Sequence, residues 1–124
     1  MSGEEVEKFY LYGFAQYGAG NWAEAADTFR VLCTNRPMEP RFWFALGATL
    51  QEAGSYGDAL NSWAMAALLN ERDPYPHFYA AECCLSLKKT EDAAIALNES
   101  ETRIGEPDHP LAPKIILLRE QWSL

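Results

Sequence analysis

The chain has 124 residues, a net charge of −8 and a hydrophobic content of 48%. That length predicts one domain spanning 1–124, and the hydrophobic share excludes a disordered chain. No apolar run approaches the roughly 18 residues that cross a bilayer, and the acidic excess argues against nucleic acid, whose phosphates it would repel.

Near the start, Glu4, Glu5 and Glu7 stand where a secretory leader would carry basic residues. A cytosolic protein is therefore expected. Helical periodicity and its punctuation then predict helix A1 over roughly residues 5–18 and B1 over roughly 22–35. A2 follows over roughly 40–53, B2 over 56–70, A3 over 74–87 and B3 over 90–103. Gly20 and Gly54 suit the left-handed residue that ends a helix. Asn21 and Ser55 fit as N-caps, with Glu24 and Asp58 three residues later near the positive helix end. Pro40 and Pro74 open A2 and A3, where a missing N–H costs nothing. In the third pair Lys88 replaces the glycine and Thr90 supplies the expected cap. Gly105 to Pro110 is a breaker cluster. Beyond it, Ile115, Ile116, Leu118 and Trp122 recur at helical spacing, which predicts a seventh helix over about 111–122 covering the end of the stack.

These helices form a repeat. Phe9, Tyr12 and Gly13 recur as Trp43, Leu46 and Gly47, and Gly20, Trp22, Ala25 and Phe29 recur as Gly54, Tyr56, Ala59 and Trp63. A weaker third copy holds Ala81, Ala93 and Leu97. The step is 34 residues (43 − 9), the tetratricopeptide period. The expected fold is all-α: three tetratricopeptide repeats over 6–39, 40–73 and 74–107, plus a capping helix. Such solenoids hold other polypeptides and seldom perform chemistry.

Each A helix carries two stripes. Phe9, Tyr12, Gly13 and Gln16, with Trp43, Leu46, Gly47 and Leu50, are expected to pack on the B helices, the glycines permitting close approach. The second stripe should line the concave side. It reads Glu7, Tyr10, Phe14 and Tyr17, then Arg41, Phe44, Ala48 and Gln51, then Tyr75, Phe78, Glu82 and Leu85. Tyr10, Phe14 and Tyr17 are spaced i, i+4, i+7 on one helical face. An aromatic face directed at solvent marks a binding groove. The alternative is that these rings pack inward, on an extra helix or in a differently curved stack. Tetratricopeptide domains that clamp a C-terminal carboxylate use Lys and Asn at these places, where Tyr10 and Phe14 stand here. The lining instead suits an extended peptide anchored by Pro, Leu or Val, with Arg41, Gln51 and Glu82 available to its polar groups.

The three cysteines form no disulfide framework and no CxxC pair, and His77 and His109 lie far apart in sequence. Cys83 and His77 sit six residues apart, off one helical face. No metal, cofactor or catalytic set is expected, and the thiols read as small buried hydrophobes.

Certain runs are more specific. Phe14-Ala-Gln-Tyr17, Gly20-Asn-Trp22, Leu32-Cys33, Arg41-Phe42, Leu46-Gly47-Ala48, Gly54-Ser-Tyr56, Ser62-Trp63 and Ala80-Ala-Glu-Cys83 together resemble the class II chaperones of bacterial type III secretion. The resemblance covers about residues 9–99. It implies a non-enzymatic protein of the bacterial cytosol that holds hydrophobic translocator proteins before export. An extended N-terminal client segment would lie in the concave groove, on Tyr10, Phe14, Tyr17, Phe44 and Phe78. Tyr75-Pro76-His77 and the stretch after Ser100 depart from the family pattern. The family's N-terminal helical extension, tied to dimerisation, has no counterpart ahead of A1, so formation of a homodimer by that route stays open. A scaffold docking a folded cytosolic partner is the alternative function.

Overall fold

A computed structural model describes residues Met1–Leu124. Seven helices and no strands follow one another: α1 (Gly3–Gly18), α2 (Trp22–Asn35), α3 (Pro40–Glu52), α4 (Tyr56–Leu69), α5 (Tyr75–Ser86), α6 (Thr90–Ile104) and α7 (Leu111–Trp122). Each helix packs chiefly on its neighbours in the chain, and α7 closes over both α6 and α5. No helix is long and apolar enough to cross a membrane.

The turns inside the three helical pairs are built alike. Gly20, Gly54 and Lys88 all take positive φ, at 77°, 81° and 61°. At each, two backbone N–H groups close the preceding helix: Gly20 to Tyr17 and Asn21 to Gln16, Gly54 to Gln51 and Ser55 to Leu50, Lys88 to Leu85 and Lys89 to Cys84. This is the double closure that a left-handed residue permits. The expected side-chain caps are not made. Asn21 and Ser55 hold the N-cap positions, but neither side chain accepts from the helix. The Asn21 amide turns back to donate to Gln16 Oε1 at 2.8 Å. Lys89, not Thr90, occupies the third N-cap, because Lys88 holds the register of Gly20 and Gly54. A capping box is present at Ser2, whose hydroxyl accepts from the Glu5 N–H while the Glu5 carboxylate accepts from the Ser2 N–H. Pro40 is the first residue of α3, whereas Pro74 stands just outside α5. The Asp73 carboxylate accepts from the Tyr75 N–H there.

Close helix contact explains the recurring glycines. A Cβ on Gly13 would come within 2.6 Å of the Phe29 ring, and one on Gly47 within 2.8 Å of the Trp63 indole. The third pair uses a smaller B-helix partner, Leu97, and tolerates Ala81 in the glycine's place; both are fully buried. Phe29, Phe42 and Trp63 anchor the main core across α1 to α5. A second cluster joins Phe78, Ala81 and Leu97 to Leu111 and Ile115 of α7.

Two expectations about packing fail. Phe9 and Tyr12 remain 36% and 43% exposed, because no helix lies over the outer side of α1. The equivalent of Phe9, Trp43, is pressed against the core and donates to the Pro37 carbonyl at 2.8 Å, and the equivalent of Tyr12, Leu46, is buried. On α7, Ile115 is buried and Leu118 half-buried, but Ile116 and Trp122 face outward.

Candidate functional site

The A helices and the B helices behind them enclose one cleft of about 550 Å³. That volume suits a bound ligand or a short stretch of chain. Helix α1 contributes Tyr10, Phe14 and Tyr17, and α3 contributes Arg41, Phe44, Ala48, Gln51 and Glu52. Phe29 and Trp63 form its floor from α2 and α4, and Tyr79 and Glu82 enter from α5.

The rings form two linked groups. Tyr10 meets Phe14 edge-on at 4.8 Å, and Phe14 meets Phe29 at 5.7 Å and Tyr17 at 6.4 Å. Farther along, Phe44 stands edge-on to Trp63 at 4.8 Å, and Trp63 stacks on Tyr79 at 5.0 Å. Edge-to-face and offset contacts at such distances add about 0.5–1.5 kcal/mol per pair beyond burial. They fix the ring orientations before anything binds. Phe14 nevertheless leaves 45% of its surface open. Burial raises the Tyr10, Tyr17 and Tyr79 hydroxyls above the usual phenol range, so they act as neutral donors.

The polar lining is already organised. Arg41 forms a bidentate pair with Glu7, reaches Glu39 at 3.6 Å, and lies 4.8 Å above the Tyr10 ring. The guanidinium's hydrogen bonds hold the Glu7 carboxyl below its ordinary range, and Glu7 in turn raises Arg41. Gln51 accepts from the Trp63 indole N–H at 3.0 Å and donates to Glu82 at 3.1 Å. Arg41 and Gln51, expected to be free for a ligand, are therefore held within the protein. Burial raises the Glu82 carboxyl, and the Gln51 hydrogen bond opposes that shift.

Of the residues expected in the groove, Tyr10, Phe14, Tyr17, Arg41, Phe44, Ala48, Gln51 and Glu82 line this cleft. Tyr75, Phe78 and Leu85 do not. Phe78 is buried against Leu111 and Ile115, Leu85 is buried with Leu118 and Leu124 beside it, and Tyr75 packs on the same cluster and on His109. In the third repeat the alternative of inward packing on an extra helix holds, and α7 is that helix. Covering this face leaves Tyr79 as the open aromatic. Its equivalents are Leu11 and Ala45, so nothing in the repeat pattern singled it out. Phe29 and Trp63 were legible only as core. The thiols lie elsewhere: burial pushes Cys33 and Cys83 up to about 12, the reverse of an activated thiolate.

Fold and cleft together define a tetratricopeptide solenoid with an aromatic concave side. The sequence profile described as tetratricopeptide repeat matches twice, over residues 10–76 and 44–109. The low calcium response locus protein H of Yersinia pestis is 32% identical over 106 residues, which is 86% of this chain. The chain spans 63% of that relative's length. PcrH from Pseudomonas aeruginosa superposes with a TM-score of 0.90 at 32% identity, covering all of this chain and 96% of that one. PcrH has also been solved in complex with the chaperone binding region of PopD. The type III secretion chaperone SycD of Yersinia enterocolitica, in complex with a peptide of the translocator YopD, gives 0.92 at 27% identity, covering 98% and 95% of the two chains. The chain belongs to the tetratricopeptide-repeat family and is similar, within it, to the type III secretion translocator chaperone SycD.

Proposed function

We propose that the protein is a non-enzymatic chaperone of the bacterial cytosol that holds hydrophobic translocator proteins soluble and export-competent until secretion. An extended N-terminal segment of the client lies along the concave cleft, on Tyr10, Phe14, Tyr17, Phe44, Ala48 and Glu82, with Tyr79 completing the lining. The carrying observation is the open, pre-oriented aromatic cleft. Phe14, held edge-on by Tyr10 and Phe29, keeps a free face that a client side chain can bury. Each anchor contact that is fully desolvated contributes about 1.5–3 kcal/mol. The relatives solved with translocator segments support the same reading.

Co-expression with a hydrophobic translocator tests it. Wild-type protein should keep the client soluble and co-purify with it. The double variant Tyr10→Ala, Phe14→Ala should weaken the complex about 100-fold, the equivalent of about 2.7 kcal/mol, and leave the client in inclusion bodies. A double variant that still carries its client would remove the cleft from the account. Capture of the client only when it is folded would favour the adaptor reading.

A further inference from the structure

The aromatic cleft is not neutral. Glu39, Glu52, Asp73 and Glu82 line it, against Arg41 as its one cation. Arg41 is already paired with Glu7 and Glu39. Asp73 spends one oxygen on the Tyr75 N–H, and Glu82 spends one on Gln51. Glu52 takes part in none of the chain's ion pairs. Glu52, Asp73 and Glu82 thus stand in the lining without an ion-pair partner, and two of them, Glu52 and Glu82, act on one another beside Gln51. Helix α3 also ends there, at Glu52, so the negative end of its dipole adds to the same potential. Tyr17 and Tyr79 stand in the same lining. The charge of Glu52 reaches Tyr17, and that of Glu82 reaches Tyr79. Carboxylates beside aromatic faces are the surroundings that hold a desolvated ammonium or guanidinium. Lys114 of α7, the one nearby cation that acts on Glu82, lies outside the cleft.

We propose that the cleft selects extended apolar segments that carry a lysine or arginine beside their anchor residues, with Glu52 and Glu82 receiving the cation between Tyr17 and Tyr79. This rests on the reading of the cleft as the client site and adds charge to the definition of the client. Apolar anchors supply most of the affinity, and the acidic end sets the register of the segment and rejects acidic sequences.

Fluorescence polarisation with three labelled ten-residue peptides tests the selection on the full chain. All share proline, leucine and valine anchors, and the residues flanking the leucine are lysine, methionine or glutamate. The lysine peptide should bind about five-fold tighter than the methionine peptide at low salt, and the glutamate peptide weakest, with the preference shrinking as salt screens it. Glu52→Gln, at an exposed position, and Glu82→Gln should each bring the lysine and methionine peptides to within about two-fold of each other, by weakening the lysine peptide. Equal binding of the lysine and methionine peptides, both abolished by Tyr10→Ala with Phe14→Ala, overturns the charge selection and leaves the client cleft standing. If none of the three binds, the cleft reading falls and this inference falls with it.

Discussion

Lys88 holds a backbone conformation that Gly20 and Gly54 adopt freely, with φ at 61°. For an L-residue the left-handed region costs about 1–2 kcal/mol. Lys88→Gly should therefore stabilise the fold by about 1 kcal/mol, raising the melting temperature by a few degrees. An unchanged urea midpoint would show that the Lys88 side chain compensates for the strain. Gly47 is the opposite case. Its missing side chain is space that the Trp63 indole occupies, and that ring is fixed by Gln51 and by stacking on Tyr79. Gly47→Ala should cost about 1–3 kcal/mol by overpacking, read in the same urea titration. A neutral result would mean that the indole shifts freely, contrary to the rigid cleft described here. Both residues were legible in the sequence, Gly47 from its repeat position and Lys88 as the departure from glycine. The side chains at Asn21 and Ser55 were not: neither accepts from the helix it precedes, and the Asn21 amide donates back to Gln16 instead.

Helices were legible almost to the residue, since glycine, proline and apolar spacing agree at each boundary. The hidden element-scale fact was what α7 covers. Periodicity places Phe78 and Leu85 on the same nominal stripe as Phe14 and Phe44. A capping helix needs an apolar bed, and the third repeat's concave face supplies it. The two rings on one nominal stripe should consequently respond differently to truncation. Phe78→Ala, emptying a buried site between α5 and α7, should cost about 3–5 kcal/mol in stability. Phe14→Ala should cost far less stability and act on client binding. Similar losses of melting temperature in the two variants would contradict the division of the stripe into groove and core.

At the scale of the molecule, repeated helical pairs place aromatic side chains from α1, α3 and α5 in one cleft with Phe29 and Trp63 beneath them. Tyr10, Phe14 and Tyr17 announced the first wall through their spacing. Tyr79 and the acidic end around Glu52 and Glu82 emerge only once the chain is folded, since they belong to different repeats and to no motif. The net charge of −8 argued only against nucleic acid, and the cleft shows where acidic groups stand beside aromatic ones. The claim on which the functional account rests is that the client lies in this cleft. Site-specific photo-crosslinking measures that directly, with benzoylphenylalanine replacing Phe14 in the cleft or Ile116 on the outer side of α7, in cells co-expressing a hydrophobic translocator. The account predicts a covalent client adduct from position 14, mapping to the client's N-terminal segment, and none from position 116. Adducts from position 116 with none from position 14 would contradict it.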